Sequence, residues 1–299
     1  MSMTTKRTER WQGVAWIVIS ATGFGAMAIF AKIAYAAGVS LTTMLFLRFT
    51  IAGFLLAAWG SARRMRWPRG RDLLWGVAMG AVGYVGQAFC YFSALKYASA
   101  GLVGLLLYLY PAIVTVMAAL LYRRTIGTAR VIAVAAALTG TALTVGGDLT
   151  SQPLGIALGI GAALIYSLYI LAGERVVPVI GPLPAATVVM LSAAAVYGAA
   201  AAAEGLMLPR SLQGWLAVLA IAIFSTLLAI LGFFKGIEKL GAADASTLST
   251  FEPLVTIALA FVVLGEAVTL LQLAGGALIL AAVIYLARSE KQDDEAATG

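Results

Sequence analysis

Two ionisable side chains stand within long apolar stretches of this sequence, and they are its strongest candidates for chemistry. Glu252 lies next to Pro253 in an apolar run from about 242 to 264, and Arg48 lies deep in an earlier run. Charged residues are rare inside a bilayer and usually face a partner or a cavity. We interpret Glu252 as a coupling or gating group that binds and releases a proton. Arg48 is either its partner or a group that binds a substrate carboxylate. The alternative is a static ion pair between Glu252 and Arg48.

Two prolines mark the positions at which helices are expected to bend. Of the eight prolines, Pro111 and Pro253 are the two that lie well inside long apolar runs. A proline lacks the backbone N–H that would bond the carbonyl four residues earlier, and in lipid that carbonyl needs another partner. We expect Pro111 and Pro253 to act as hinges. The alternative is a pair of rigid, packed bends.

Aromatic and polar residues recur at spacings of three and four along several apolar runs, so they share helical faces. One such stripe contains Tyr84, Gln87 and Tyr91, and another contains Tyr108 and Pro111. Aromatic walls with a few polar groups are typical of small-molecule sites, and close packing of helices is the competing explanation. The predicted substrate contacts are Phe24, Tyr84, Gln87, Tyr91, Tyr108, Tyr166, Ser246 and Thr250.

The composition indicates the class of protein in which these residues act. Hydrophobic residues make up 62% of the chain and charged residues 11%, whereas soluble domains carry roughly 25% charged residues. The net charge of +7 comes from lysines and arginines in short loops. Membrane topology explains that charge, and no nucleic-acid partner is expected. With one cysteine, Cys90, and no histidine, the sequence predicts no metal site and no cofactor.

Apolar stretches long enough to cross a bilayer recur along the whole chain. Together they predict ten transmembrane helices, with approximate spans 11–31, 40–60, 72–94, 98–122, 127–147, 153–173, 183–205, 212–234, 242–264 and 267–287. Lysines and arginines concentrate in alternate loops, including 63–71 and 123–130, which places those loops and both termini in the cytoplasm. The polar tail 290–299 is predicted to be disordered and cytoplasmic.

The chain also aligns with itself when it is displaced by 142 residues, which superposes Pro111 on Pro253. Each copy then holds five spans, and an odd number of spans inverts the second copy across the membrane. Inverted repeats with interrupted helices are typical of secondary transporters. We therefore predict an all-α membrane protein whose ten helices form two inverted five-helix repeats, 1–147 and 148–289, around a central cavity. We expect a monomer surrounded by membrane lipid.

Several short motifs occur in the same order as in a known group of transporters. They are Leu47-Arg48-Phe49 with Ala52, Ala94-Leu95-Lys96-Tyr97, Gly236-Ile237-Glu238-Lys239-Leu240-Gly241-Ala242, Tyr110-Pro111, Glu252-Pro253, and Gly265-Glu266 with Gln272 and Gly275. With these motifs the chain resembles the drug/metabolite transporter superfamily over nearly its whole length, in particular its ten-helix bacterial exporters.

Within that superfamily the chain is most similar to bacterial aromatic amino acid exporters. The resemblance implies export of small molecules such as phenylalanine, tyrosine and tryptophan across the bacterial inner membrane. We expect a secondary transporter that works by alternating access. The alternatives are export of other metabolites or lipophilic cations, and a passive channel. A membrane-embedded enzyme is disfavoured because histidine is absent, cysteine is single and acids do not cluster within the spans.

Overall fold

The computed structural model describes residues 3–122, 128–147, 151–240, 248–249 and 251–298. Throughout these ranges the regular elements are helices, which confirms the all-α prediction. They are α1 Met3–Ala36, α2 Leu41–Ala62, α3 Gly70–Ala78, α4 Val85–Ala94, α5 Ala100–Leu107, α6 Tyr110–Tyr122, α7 Thr128–Gly147, α8 Pro153–Ile180, α9 Pro182–Glu204, α10 Leu212–Ala222, α11 Ala229–Leu240, α12 Glu252–Leu264 and α13 Leu270–Thr298.

Long apolar helices confirm that this is a multi-pass membrane protein. Among the described residues, six stretches are long and apolar enough to cross a membrane, and they coincide with predicted spans: Trp11–Ala36, Leu41–Ala62, Gly70–Ala94, Pro153–Ile180, Pro182–Glu204 and Leu212–Phe233. Shorter apolar helices lie where the other four spans are predicted, at Ala100–Val114, Val131–Gly147, Glu252–Leu264 and Leu270–Ala282. The total of ten spans stays a prediction.

The predicted span 98–122 is two helices rather than one. α5 ends at Leu107, and α6 begins at Tyr110, directly before Pro111. α12 likewise begins at Glu252, directly before Pro253. Proline is tolerated in the first turn of a helix because the N–H that it lacks has no intrahelical partner there. The two helices therefore start 142 residues apart, at the same place in the two predicted repeats.

Two π-helical segments interrupt long helices. Met79–Tyr84 separates α3 from α4, and Ile223–Leu228 separates α10 from α11. Such π turns are rare in proteins, and those that occur often lie at functional sites. At the first of them Gly80 allows close packing, because an added Cβ would lie 2.6 Å from the carbonyl oxygen of Val189 on α9.

The chain divides into two compact units, and each unit draws segments from both halves of the sequence. The first unit comprises Met1–Ile29, Ala98–Ser151 and Leu228–Gly299, and the second comprises Phe30–Tyr97 and Gln152–Leu227. These units are defined by packing, whereas the repeats 1–147 and 148–289 are defined by sequence, so the repeat boundaries stay a prediction. In the predicted disordered tail, α13 continues to Thr298, through residues that include the strong helix formers Ala, Glu, Lys and Gln.

Each unit has its own helix packing. In the second unit α2 packs along α9, and α4 packs along α8. In the first unit α7 packs along α13, where a Cβ added to Gly140 would lie 2.7 Å from the carbonyl oxygen of Gly275. Small residues allow transmembrane helices to approach this closely. Gly275, part of the sequence motif that follows Glu266, therefore has a packing role.

Candidate functional site

In the second unit the structure builds a site around Arg48, which α2 holds almost completely buried, with 2% of its surface exposed. Its Nε donates a hydrogen bond of 2.9 Å to Thr226 Oγ1, and Nη2 donates a longer one of 3.4 Å to the Tyr84 hydroxyl. Thr226 Oγ1 in turn donates to the carbonyl oxygen of Ile221 at 2.9 Å. The threonine hydroxyl thus uses its proton on the backbone and a lone pair on the guanidinium.

Aromatic rings complete the surroundings of the guanidinium. The Arg48 Cζ lies 4.9 Å from the ring centre of Phe49 and 5.2 Å from that of Phe92. A guanidinium over an aromatic face is stabilised by the ring quadrupole, and more strongly when water is excluded. We call Arg48, Phe49, Tyr84, Phe92 and Thr226 the arginine cluster. Within the described part of the chain, no carboxylate lies within 4.0 Å of this buried cation.

Both hydroxyl partners of Arg48 come from the π segments. Tyr84 ends the first π segment, and Thr226 lies in the second. The two residues are 142 positions apart, so they are equivalent in the self-alignment of the sequence. One buried arginine therefore links the two interrupted helices at corresponding positions.

A row of tyrosines continues from the arginine cluster. The Tyr84 ring lies 5.5 Å from Tyr169, and Tyr169 stacks on Tyr166 at 6.1 Å with an interplanar angle of 11°. Among the predicted substrate contacts, Tyr84 touches Arg48 directly, and Tyr166 reaches Tyr84 through Tyr169. Gln87 and Tyr91 lie on α4 of the same unit and are both buried.

The first unit contains a second polar centre, around Glu252 at the start of α12. The Tyr108 hydroxyl, which follows α5, lies 3.0 Å from Glu252 Oε2 and 2.9 Å from the carbonyl oxygen of Ser249. In an unbroken helix the N–H of residue 253 would bond that carbonyl, but residue 253 is proline. The Tyr108 hydroxyl supplies the missing donor. This confirms, for Pro253, that a carbonyl freed by the proline finds a partner outside its own helix.

α1 packs against the same place. Thr256 Oγ1 bonds the carbonyl oxygen of Gly25 at 3.0 Å, and a Cβ added to Gly25 would lie 2.8 Å from the carbonyl oxygen of Glu252. Phe24 precedes Gly25 on α1 and is half-buried in this unit. We call Gly25, Tyr108, Ser249, Glu252 and Thr256 the glutamate cluster. Ser246 and Thr250 lie outside the described residues.

The remaining predicted residues take separate positions. Pro111 and Pro253 are the second residues of α6 and α12, and their action as hinges stays a prediction. Arg48 and Glu252 belong to different units. Each forms hydrogen bonds within its own unit, Arg48 with Thr226 and Glu252 with Tyr108. The pairing of Arg48 with Glu252 also stays a prediction.

Sequence reasoning named Glu266 as part of a motif but missed its contacts. Its carboxylate accepts hydrogen bonds from the backbone N–H of Ala100 at 2.9 and 3.0 Å and from that of Gly101 at 3.4 Å. It therefore caps α5, whose exposed N–H groups and helix dipole favour an acidic partner. The adjoining crevice, lined by Ser99, Leu105 and Glu266 among others, has a volume of about 20 Å³, enough for about one water molecule.

Thr226, Phe92, Tyr169 and Thr256 are the main site residues that sequence reasoning missed, and Phe49 was named as part of a motif but without its contact to Arg48. A signal existed for two of them. Thr226 is the repeat counterpart of Tyr84, and Tyr169 lies three residues after Tyr166, on the same helical face. The others are apolar or small residues within apolar helices, and nothing in their spacing separates them from packing residues.

Comparison with known proteins provides evidence on the family and the fold that is independent of the site geometry. The EamA-like transporter family matches the chain twice, over residues 11–146 and 153–288. The matches start 142 residues apart, the displacement at which the sequence aligns with itself. The uncharacterized transporter sll1319 of Synechocystis sp. is 23% identical over 244 residues, which cover 76% of this chain and 71% of that protein. A protein of known crystal structure aligns with a TM-score of 0.65 and 24% identity over 93% of this chain and 97% of its own. That likeness shows the fold.

Proposed function

The chain belongs to the EamA-like transporter family, and from this premise we propose that it exports small carboxylate-bearing metabolites, with aromatic amino acids as the best fit. We propose a secondary transporter that works by alternating access in the bacterial inner membrane, as a monomer with both termini in the cytoplasm. Its ten spans would form inverted repeats. The proposed substrate class rests on the arginine cluster.

The electrostatics of Arg48 support an anionic cargo. A charge removed from water is costly unless a counter-charge and hydrogen bonds compensate it. In the described structure Arg48 has a threonine hydroxyl, a tyrosine hydroxyl and two aromatic rings around it, all of them neutral. A carboxylate would supply the missing counter-charge, because a guanidinium binds a carboxylate through two parallel N–H···O bonds. An incoming substrate would thus complete an incomplete ion pair.

The neighbouring rings support the aromatic part of the proposal. Tyr84, Tyr169 and Tyr166 form a continuous row of rings that starts at the arginine. Aromatic side chains favour offset-stacked or edge-to-face contacts, which contribute about 0.5–1.5 kcal/mol beyond simple burial. A substrate with its carboxylate at Arg48 and its ring against these tyrosines uses both features of the cluster.

Counterflow in proteoliposomes tests the proposal. Vesicles loaded with unlabelled phenylalanine are expected to accumulate labelled phenylalanine, and a panel of amino acids and other metabolites then competes with the label. Trans-stimulation identifies a carrier, since a passive channel shows none. Absence of trans-stimulation, or competition by lipophilic cations but not by carboxylates, would overturn the proposal.

The role of Arg48 has its own test. Arg48→Met places at this position the residue found at its repeat counterpart, Met190, and is expected to abolish counterflow. Arg63→Met is the matched control, because Arg63 follows α2 at an exposed position, with its guanidinium over the Trp59 ring at 5.9 Å. Equal counterflow in the two variants would contradict carboxylate binding by Arg48.

A second candidate cargo is a lipophilic cation. It is favoured by the glutamate cluster, where an acid adjoins the ring of Tyr108, which itself lies 6.0 Å from the ring of Tyr110. Aromatic faces and a carboxylate together are suited to cations. The competition panel separates the two cargo classes directly.

A further inference from the structure

The chain between α2 and α3 carries a dense group of positive charges. We call residues 64–71 the basic loop, because four exposed arginines stand within these eight positions: Arg64, Arg66, Arg69 and Arg71. Among the described residues, none of these four guanidinium groups lies within 4.0 Å of a carboxylate. The next residue, Asp72, is an acid in the first turn of α3, where the helix dipole stabilises it. In the described structure the basic loop therefore lacks a counter-charge.

All the cations of the basic loop are arginines, although the chain uses lysine in other short polar segments, for example at Lys235 and Lys239. Membrane topology depends on lysine and arginine alike, so it explains the charge of the loop but not the type of residue. Arginine differs from lysine in its planar fork of N–H donors, which binds a phosphate through two parallel hydrogen bonds. Arginine at every cationic position therefore favours a phosphate partner.

The backbone of the basic loop holds one of its arginines in a strained conformation. Arg64 has a φ of 52°, and every other described residue with a positive φ is a glycine. A side chain in this left-handed region clashes with the backbone, so helices commonly end there on glycine. Gly205, after the repeat counterpart of α2, has a φ of 86°. Because strained residues cluster at functional sites, the arginine at position 64 points to a role for its side chain.

Hydrogen bonds fix the start of the basic loop. The N–H of Met65 donates to the carbonyl oxygen of Gly60 at 2.8 Å, and the N–H of Arg64 donates to that of Ser61 at 3.0 Å. These two bonds form the Schellman pattern that closes a helix. The Met65 side chain also covers Gly60, where an added Cβ would lie 2.8 Å from the Met65 sulfur. A loop held in this way loses less conformational entropy when it binds an anion.

Three tryptophans place the basic loop at the depth of lipid headgroups. Trp59 in α2 is 39% exposed, Trp67 within the loop 43%, and Trp75 in α3 50%. Tryptophan favours the membrane interface, because its ring is apolar and its N–H is polar. With an exposed tryptophan before, within and after it, the loop is expected to lie along the interface, at the level of the phosphate groups, rather than project into water.

We propose that the basic loop binds the phosphate groups of anionic phospholipids. The lipid supplies the counter-charge that the described protein lacks, and the arginine forks bind its phosphate oxygens. This site goes beyond the proposed function, because it involves neither the cargo nor the arginine cluster. Each arginine near an anionic surface strengthens binding about fivefold, which corresponds to about 1 kcal/mol.

Native mass spectrometry of the full-length protein in detergent measures this binding, with equimolar phosphatidylglycerol, which is anionic, and phosphatidylcholine, which is neutral, as probes. We expect the wild type to retain phosphatidylglycerol preferentially. Arg64→Gly should weaken this binding about fivefold. The same variant should unfold at a higher temperature, because glycine adopts the left-handed region without a clash. Weaker lipid binding by a more stable protein cannot result from a damaged fold.

Two further variants and a control complete the test. Arg69 has an extended backbone, with a φ of −134°, so Arg69→Gln removes a charge without altering strain and should also weaken binding about fivefold. Arg69→Lys keeps the charge but not the fork and should bind more weakly than the wild type. Arg210→Gln is the matched control, because Arg210 is exposed in the loop between α9 and α10, and it should bind as the wild type does.

Three results would overturn the proposal. The first is a wild type that does not distinguish phosphatidylglycerol from phosphatidylcholine. The second is unchanged lipid binding in both Arg64→Gly and Arg69→Gln, or a loss in Arg210→Gln as large as theirs. The third is displacement of the lipid by inorganic phosphate at the same concentration, which would assign the loop to free anions instead of a membrane lipid.

Discussion

Replacing Thr226 by valine should destabilise the second unit, because this hydroxyl serves two buried partners at once. It accepts from Arg48 Nε at 2.9 Å and donates to the carbonyl of Ile221 at 2.9 Å. Valine has nearly the same shape as threonine but no hydroxyl, so Thr226→Val removes both bonds and adds no cavity. Thr226 is fully buried, and water therefore offers little compensation.

The size of the effect follows from the two bonds. A hydrogen bond to a charged group contributes about 1.5–3 kcal/mol in soluble proteins. The bond to Ile221 lies within one helix, and a neutral hydrogen bond contributes about 0.5–1.5 kcal/mol. We expect a loss of about 2–4 kcal/mol in the free energy of unfolding, which changes the unfolding equilibrium about 30- to 1,000-fold at about 1.4 kcal/mol per factor of ten.

The assay is equilibrium unfolding in mixed detergent micelles, with helicity and tryptophan fluorescence as independent probes. Thr226→Ser is the matched control, because serine retains the hydroxyl and should lose less than half as much stability. The reasoning is refuted if Thr226→Val unfolds within about 0.5 kcal/mol of the wild type, the usual range for a surface substitution without a structural role. It is also refuted if the serine and valine variants are equally unstable.

Two further predictions concern the packing and capping of the first unit. Gly140→Ala should cost about 1–3 kcal/mol by overpacking against the backbone of α13, whereas Gly146→Ala on the same helix meets nothing within 4 Å and should be neutral or slightly stabilising. Equal thermal stability of these two variants in detergent would contradict the close approach of α7 to α13. Glu266→Ala should cost about 0.5–2 kcal/mol, because it removes the acceptor for the first N–H groups of α5. Hydrogen exchange at Ala100 and Gly101 should then quicken, and unchanged exchange would refute the capping role.

The sequence was informative where one residue type has one physical consequence. Long apolar runs predict membrane spans, and a proline inside such a run predicts an interruption, as seen where α6 and α12 begin. The prediction that a freed carbonyl seeks another donor is confirmed at Ser249. The identity of that donor, Tyr108, could not be predicted, because the two residues are 141 positions apart and only folding brings them together.

Other features leave no trace in hydropathy. A π segment inserts one residue into a helix, and an apolar insertion looks like any other apolar residue. The span 72–94 therefore reads as one regular helix, although Met79–Tyr84 interrupts it. The partners of Arg48 are hidden for a similar reason, since Thr226 is a small polar residue 178 positions away. The ordered motifs predicted the superfamily, whereas the cargo depends on the shape and charge of a site that short motifs do not encode.

The first π segment lets one polypeptide segment serve two neighbours. On its N-terminal side Gly76 and Gly80 turn toward α9, where added Cβ atoms would meet Val188 and Val189. Further along, Gly83 and Gly86 turn toward α8, where they would meet Tyr169 and Ile165. A uniform α-helix keeps one contact stripe along its length, since each residue advances by a constant angle of about 100°. The extra residue shifts that angle, so the contact stripe faces α9 as far as Gly80 and faces α8 from Gly83 onward. Tyr84 lies next to the point at which the neighbour changes.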